Sequence, residues 1–314
     1  AASRMTAMAE GRPCAEMGSR RTHEWAAVGA ARAAYIAGFA STSNLEAGRT
    51  YGIPTMGTAA HSFTLLHDSE EEAFRAQLST LGVETTLLVD TYDVEAAIRK
   101  GVELTQGRLG AIRLDSGDLP MMARQARDLL DDLGATGTRI TVTSDLDEWQ
   151  IAALRGAPVD GFGVGTSLVT GSGHPTCGFV YKLVARANSS DRDAPKTPVG
   201  KKSRGKNTLG GRKFAMRRLG EDGRAEAEII GLGAPPDSDG DDRYLLADLV
   251  KDGQRVFHGT LEDARTRHRD SLAELPMAAL RISRGDPAIE TVILDGTGSQ
   301  TTNPYQAKPR PTGL

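Results

Sequence analysis

The sequence is poor in cysteine, close to balanced in charge, and without a long apolar run or an initiating methionine. Two cysteines, Cys14 and Cys177, cannot build a disulfide framework and fit a reducing, cytoplasmic compartment. A formal net charge of −3 supplies no global basic field to hold nucleic acid. The most apolar stretch, AAVGAARAAYIAGFA, is alanine-rich and broken by Arg32. It reads as a packed helix and not as a membrane span, which needs about twenty apolar residues. No secretory pattern opens the chain. Its abrupt start, AASRMTAMAEGRP, reads as that of a fragment or a processed chain. No repeat is visible beyond an alternation of strand-like and helix-like segments.

That alternation organises the first part of the chain. Strand-like runs occur at PCAEMG (13–18), AGFASTSN (37–44), IPTMGT (53–58), TTLLVD (85–90), GAIRLD (110–115), RITVTSD (139–145) and GFGVGT (161–166). Helical spacing follows several of them. Val94, Ala97, Ile98 and Val102 share one face; so do Leu119, Met122, Ala123, Ala126, Leu129, Leu130 and Leu133. Strands alternating with helices predict an α/β fold with a parallel sheet, open or closed into a barrel, over residues 1–188. Residues 189–314 differ in composition and predict a smaller β-rich lobe. The lobe carries a basic loop at 196–213 with seven Lys or Arg, an acidic turn APPDSDGDD, and a hairpin around Lys251–Gly253. A helix is expected from about Thr260 to Leu275.

Each strand-like run ends in small or charged residues. In parallel α/β folds the loops after the strands form the binding face, so the tips point to one composite site. Turns and helix caps also favour Ser, Thr, Asn and Asp, but Arg20 and Arg113 are poor caps. RLDSGDL sets Asp115 and Asp118 around Ser116–Gly117, with Arg113 two residues before. Such a tip suits sugar hydroxyls or hydrated magnesium, whereas Asp118 also suits the following helix terminus. GFGVGT offers Gly163, Gly165 and Thr166 as a phosphate-cradling turn. SDLDE adds Ser144 and Asp145, with a capping arrangement through Glu148 as the alternative. Arg20 and Arg21 follow Gly-Ser and suit a phosphate or carboxylate. TLLVDTYDV looks like the ribose-binding acidic pair of purine-salvage phosphoribosyltransferases, but a helix follows where those have a phosphate loop. In GTAAHSF, His61 stands near another tip and reads either as an ordinary cap or as a nucleophile. His23, His67, His174, His258 and His268 read as structural or solvated.

Taken in order, EMGSRRTHEWAAVGAARAAYIAGFASTSNLEA, GTAAHSF, RLDSGDL, SDLDE, FGVGT and GFVYKLV resemble the nicotinate phosphoribosyltransferase family. The likeness extends to GKKSRGKNTLGGRK and LPMAALRISRGDPAI. It implies an irregular α/β barrel of the type II phosphoribosyltransferase kind, with a smaller lobe. It further implies transfer of a phosphoribosyl group from 5-phosphoribosyl 1-pyrophosphate to nicotinate in NAD salvage. Mg²⁺, ATP hydrolysis through a phosphohistidine and a homodimer are implied with it; membrane and nucleic-acid partners are not. By the family pattern His61 takes the phosphoryl group and Thr58 and Arg113 lie near the nicotinate. Asp115 would stabilise positive charge at the anomeric carbon, and Arg20, Mg²⁺ and Gly163–Thr166 would serve the phosphates. No residue is assigned to the metal. Asn44, where nicotinamide-using relatives carry aspartate, favours the acid over the amide. A nicotinamide or quinolinate enzyme and an inactive truncated relative are the alternatives. The family's N-terminal Thr-Asp-x-Tyr motif has no counterpart here, so an N-terminal segment is expected to be lacking.

Overall fold

The computed structural model describes residues 1–174, 176–203 and 206–301. Arg204 and Gly205 of the basic loop, Pro175, and the tail from 302 lie outside the described residues. The chain divides into two compact units, 1–177 with 261–269, and 178–260 with 270–314.

The first unit is built on six short parallel strands: β1 (Cys14–Glu16), β2 (Ser41–Thr42), β3 (Thr86–Leu88), β4 (Ala111–Leu114), β5 (Arg139–Val142) and β6 (Gly161–Val164). Their order is β2-β1-β6-β5-β4-β3, so the first strand pairs with the last, Ala15 opposite Gly163. This is a parallel sheet curling toward a barrel. A bridge between Thr42 and Thr55 extends the β2 side. The run 53–58 therefore contributes only a bridge where a strand is expected. Pro54 has no N–H to give to a ladder, which limits pairing there.

Helices cover the sheet: α1 (Ala2–Ala9), α2 (Glu24–Ile36), α3 (Leu45–Tyr51), α4 (His61–Leu65), α5 (Glu70–Leu81), α6 (Val94–Thr105), α7 (Leu119–Asp132), α8 (Glu148–Ala153) and α9 (Thr166–Val169). The expected periodicities are the buried faces: Ala97, Ile98 and Val102 of α6, and Leu119, Ala123, Ala126 and Leu130 of α7. They pack with Leu87, Leu88, Ile112, Leu114, Ile140 and Phe162 of the strands, all fully buried. Strands buried on both faces read as continuous apolar runs, as these do. Several helix starts are capped by the polar residues that end the strands or loops before them. Asp93, Asp118 and Asp147 accept from the backbone of α6, α7 and α8. Asp118 is thus a cap and not a site carboxylate. Glu148 does not complete a capping box; it is fully buried, bonded to Arg4 and Ser172.

The second unit is β-rich. Its five-stranded sheet has the order 243–244, 213–219, 225–232, 290–294, 300–301. Strand 225–232 runs antiparallel to 213–219 and parallel to 290–294. Met216, Ile229 and Ile293 form its buried centre. Arg217 pairs with Glu228 and Glu274, and Arg243 with Glu274, which braces the sheet against the segment around 274. The basic loop contains strand 196–198 paired with 185–187, and 202–203 paired with 206–207. The hairpin forms at 250–251 and 254–255; the expected helix is α10 (Leu261–Ala273), of which residues 261–269 belong to the first unit.

Candidate functional site

A cavity of about 540 Å³ opens at the C-terminal ends of the strands. Its wall is contributed tip by tip: Met17, Ser19, Arg20 and Arg21 after β1, Ser43 after β2, then Gly57, Thr58, Ala60 and His61 after the Thr55 bridge. Arg113 and Asp115 come from the end of β4, Thr143, Ser144 and Asp145 from β5, and Gly163, Gly165 and Thr166 from β6. Parallel strands all point their carboxyl ends the same way, so residues far apart in sequence converge there. A second cavity, of about 370 Å³ and lined by Glu10, Arg12, Arg155 and Asp160 among others, sits before β1 and β6. It gathers none of the expected site residues.

The centre of the site is a guanidinium–carboxylate pair held on every side. Arg113 donates through Nε to Thr143 Oγ1 (2.8 Å) and through Nη1 to Thr58 Oγ1 (2.8 Å) and the Ala59 carbonyl (3.2 Å). Its Nη2 lies 2.9 Å from Asp115 Oδ1. The Thr143 hydroxyl in turn donates to that same oxygen. Burial pushes the Asp115 carboxyl up. The Thr143 hydroxyl, the Arg113 guanidinium and nearby His61 outweigh it and hold the carboxyl below the usual aspartate range.

His61 begins α4 with a side chain 40% exposed. Its Nδ1 meets the Thr91 hydroxyl at 3.2 Å. Its Nε2 lies 3.6 Å from Asp115 Oδ2 and 3.8 Å from Asp90 Oδ1. Asp90 is nearly fully buried; its other oxygen accepts from the Asp115 N–H (2.8 Å) and the Ser116 hydroxyl (2.9 Å), while Oδ1 has no hydrogen-bond partner among the described residues. A buried carboxylate oxygen aimed near an imidazole nitrogen suits a base or an orienting group. Ser144, on the same wall, holds a φ of 102°, a left-handed conformation costly for a residue with a Cβ and concentrated at functional sites.

Ten of the eleven expected site residues line this cavity: Arg20, Thr58, His61, Arg113, Asp115, Ser144, Asp145, Gly163, Gly165 and Thr166. Asn44 does not. Its Oδ1 caps α3 through Ala47 N (2.8 Å), and its Nδ2 donates to Ser19 Oγ (3.0 Å), one residue behind the wall. Thr91 and Thr143, which bond to His61 and Arg113, are passed over in the sequence, and Asp90, beside His61, is visible there but set aside. A carboxylate directly after an apolar strand was the available signal for Asp90. Among the other histidines, His23 caps α2 and His268 bonds to Ser3.

The cavity can do a definite chemistry. It offers a nucleophilic imidazole, a carboxylate kept ionised, a fixed guanidinium and glycine-rich turns at one mouth. No group of three His, Cys, Asp or Glu side chains able to hold a metal occurs among the described residues. A magnesium ion that takes most of its ligands from phosphate oxygens and water needs only one or two protein carboxylates; Asp115 and Asp145, which line the cavity, are the ones that would serve.

Comparison with known proteins identifies the family. The family model described as the nicotinate phosphoribosyltransferase (NAPRTase) family matches residues 13–220. A nicotinate phosphoribosyltransferase of Mycobacterium tuberculosis is 53% identical over 300 residues, covering 93% of this chain and 65% of its own length. One from Bacillus subtilis is 44% identical over 180 residues, covering 54% and 36%. The chain thus spans about two thirds or less of the length of these relatives. Among solved structures, human nicotinic acid phosphoribosyltransferase superposes with a TM-score of 0.71 at 24% identity, over 93% of this chain and 70% of that one. Nicotinate-nucleotide pyrophosphorylase from Pyrococcus furiosus gives 0.70 at 21%, over 87% and 69%. At those identities the structures attest the fold alone. By the family match and by the identity to the mycobacterial enzyme, this chain belongs to the nicotinate phosphoribosyltransferase family.

Proposed function

We propose that the site transfers a phosphoribosyl group from 5-phosphoribosyl 1-pyrophosphate to nicotinate, forming nicotinate mononucleotide and pyrophosphate. The observation that carries this is the convergence of Arg113, Asp115, His61 and the two turns around Arg20 and Gly163–Thr166 on one cavity. As the bond to pyrophosphate loosens, the ribose gains oxocarbenium character, and an ionised Asp115 offsets that charge. Arg113, fixed by four contacts, presents its guanidinium to the nicotinate carboxylate, with Thr58 beside it. Arg20 and the backbone N–H groups of the glycine turn take the phosphates. Asp115 and Asp145 would hold Mg²⁺ jointly with the substrate. The bound ion would neutralise the departing pyrophosphate.

His61 is the proposed acceptor in ATP coupling. An imidazole nitrogen bonds to the γ-phosphorus as the bond to the ADP oxygen breaks, and ADP leaves. Asp90 and Asp115 flank Nε2 and can take the proton it sheds. The acid is preferred over the amide because Arg113 complements a carboxylate; Asn44 adds no negative charge nearby. A homodimer is proposed, supported by the exposed apolar run Phe179–Val180–Tyr181 in the second unit. A cytoplasmic setting is supported by two free thiols. No helix among the described residues is long and apolar enough to cross a membrane.

The test is incubation with labelled ATP and Mg²⁺, with His61→Ala as control. An acid-labile phosphoenzyme that disappears in the variant is expected. Label persisting in His61→Ala removes the histidine from the mechanism. Preference for nicotinamide over nicotinate in a competition assay overturns the assignment of the acid.

A further inference from the structure

Glu16 is a fully buried carboxylate that the proposed chemistry does not use. It ends β1, one residue before the turn that carries Ser19, Arg20 and Arg21. Its Oε1 accepts from the Gly18 N–H, and its Oε2 accepts from the hydroxyl of Thr42, itself fully buried at the end of β2. The Thr42 oxygen accepts from Asn44 N (3.0 Å), and Asn44 Nδ2 donates to Ser19 Oγ (3.0 Å). These bonds close a ring that starts and ends on the arginine turn. Its members come from the tips of two neighbouring strands.

The same turn is seated against the glycine turn after β6, backbone close to backbone at Gly18 and Gly165. A Cβ at Gly18 would lie 2.3 Å from Val169 Cγ1 and 2.9 Å from the Gly165 carbonyl oxygen; one at Gly165 would lie 3.2 Å from the Met17 carbonyl oxygen. Met17 N donates to the Val164 carbonyl at 2.8 Å. The two turns are therefore closely packed, with the Glu16 carboxylate bonded to the first of them.

We propose that Glu16, through Thr42 and Asn44, is a positioning residue that holds the Gly18–Arg21 turn against Gly165 as a single cradle for the pyrophosphate-bearing substrate. Asn44 then acts on phosphate binding through Ser19, in addition to capping α3. The inference rests on the reading of this site as a phosphoribosyl-transfer site. A buried carboxylate between two donors is a stiff fixture, and stiffness matters where several donors must meet one anion at once.

The experiment uses Thr42→Val, which keeps volume and removes the hydroxyl, and Thr42→Ser, which keeps the hydroxyl. Binding of inorganic pyrophosphate is measured by calorimetry, and KM for donor and for nicotinate separately. Thr42→Val is expected to weaken pyrophosphate roughly tenfold and to raise the donor KM equally. The nicotinate KM should stay within about twofold, and Thr42→Ser should restore pyrophosphate binding. A general loss of structure would instead move both KM values and kcat together. If Thr42→Val does not fold, Glu16→Gln, which keeps shape but supplies an N–H₂ where Thr42 needs an acceptor, is read in the same way. Pyrophosphate binding unchanged in the variant overturns the inference and leaves the phosphoribosyl reading standing. Wild-type protein that binds no pyrophosphate overturns that reading, and the inference with it.

Discussion

Replacing Thr143 by valine removes one hydroxyl and leaves the volume nearly unchanged, so its effect can be worked out from the contacts. Thr143 is buried, 4% exposed. Its hydroxyl accepts from Arg113 Nε and donates to Asp115 Oδ1. Valine orphans both charged groups on that side, and each lost bond to a charged partner is worth ~1.5–3 kcal/mol when nothing replaces it. Arg113 keeps Thr58, Ala59 and Asp115, and water can reach Asp115, which is 28% exposed. The net loss should therefore be about 2 kcal/mol, or roughly 4–8 °C in the melting of a unit of this size. Asp115 titrates below its unfolded value. Its stabilisation is present above the unfolded carboxyl pKa of about 3.9 and is lost as pH falls through the lower folded value. The gap between wild type and Thr143→Val should be widest near neutral pH and narrow below about pH 4. Melting curves across that range, with Thr143→Ser as control, make the measurement. A variant as stable as wild type at neutral pH refutes the reasoning, as does a deficit that does not shrink in acid.

Other outcomes follow from the same contacts. Arg113→Lys keeps charge but loses the fork that meets Thr143, Thr58 and Asp115, and should raise the nicotinate KM about tenfold or more, measured by steady-state kinetics. Asp90→Asn should slow phosphoryl labelling of His61 roughly tenfold or more in single-turnover experiments, while leaving pyrophosphate binding near wild type. Gly18→Ala places a methyl on Val169 and the Gly165 carbonyl, and should weaken pyrophosphate binding more than nicotinate binding. Cys14 is buried, and burial pushes its thiol up to about 12 against the pull of Arg12. At pH 8 a thiol reagent should modify Cys177 alone, with the second equivalent reacting only after unfolding, as mass spectrometry can count.

The parallel sheet was legible because its strands are buried on both faces and its helices have readable stripes. The site was legible at residues whose types are poor structural choices, above all Arg113 and Arg20, which no turn requires. Where one residue type serves two purposes, sequence cannot choose. Asn44 and Asp118 suit a site and a cap equally, and geometry made each a cap. Thr143 sits in the run RITVTSD and looks like one more strand threonine; only the arrival of Arg113 and Asp115 from the neighbouring strand gives its hydroxyl a role. Glu16 would be read as solvent-facing by its charge, and its burial depends on Thr42, which comes from the next strand. Asp90 was visible as a tip carboxylate, but the helix after it argued against the phosphate-loop chemistry it resembles. Its partner, His61, comes from another tip. Such pairings are set by strand order, which local patterns do not encode.

The pairing of β1 with β6 has a consequence for how the molecule is made. Ala15 and Gly163 are opposite each other in the sheet yet about 150 residues apart along the chain, a separation that lengthens the search for the native topology. On a ribosome, β2 can pair with β1, and β3, β4 and β5 with one another, while β1 still has an unpaired edge. That edge is satisfied only when Gly161–Val164 has emerged. The turns at Gly18 and Gly165 meet at that same moment. The anion cradle is thus completed only after most of the sheet has been synthesised, and slow folding or chaperone dependence should register there.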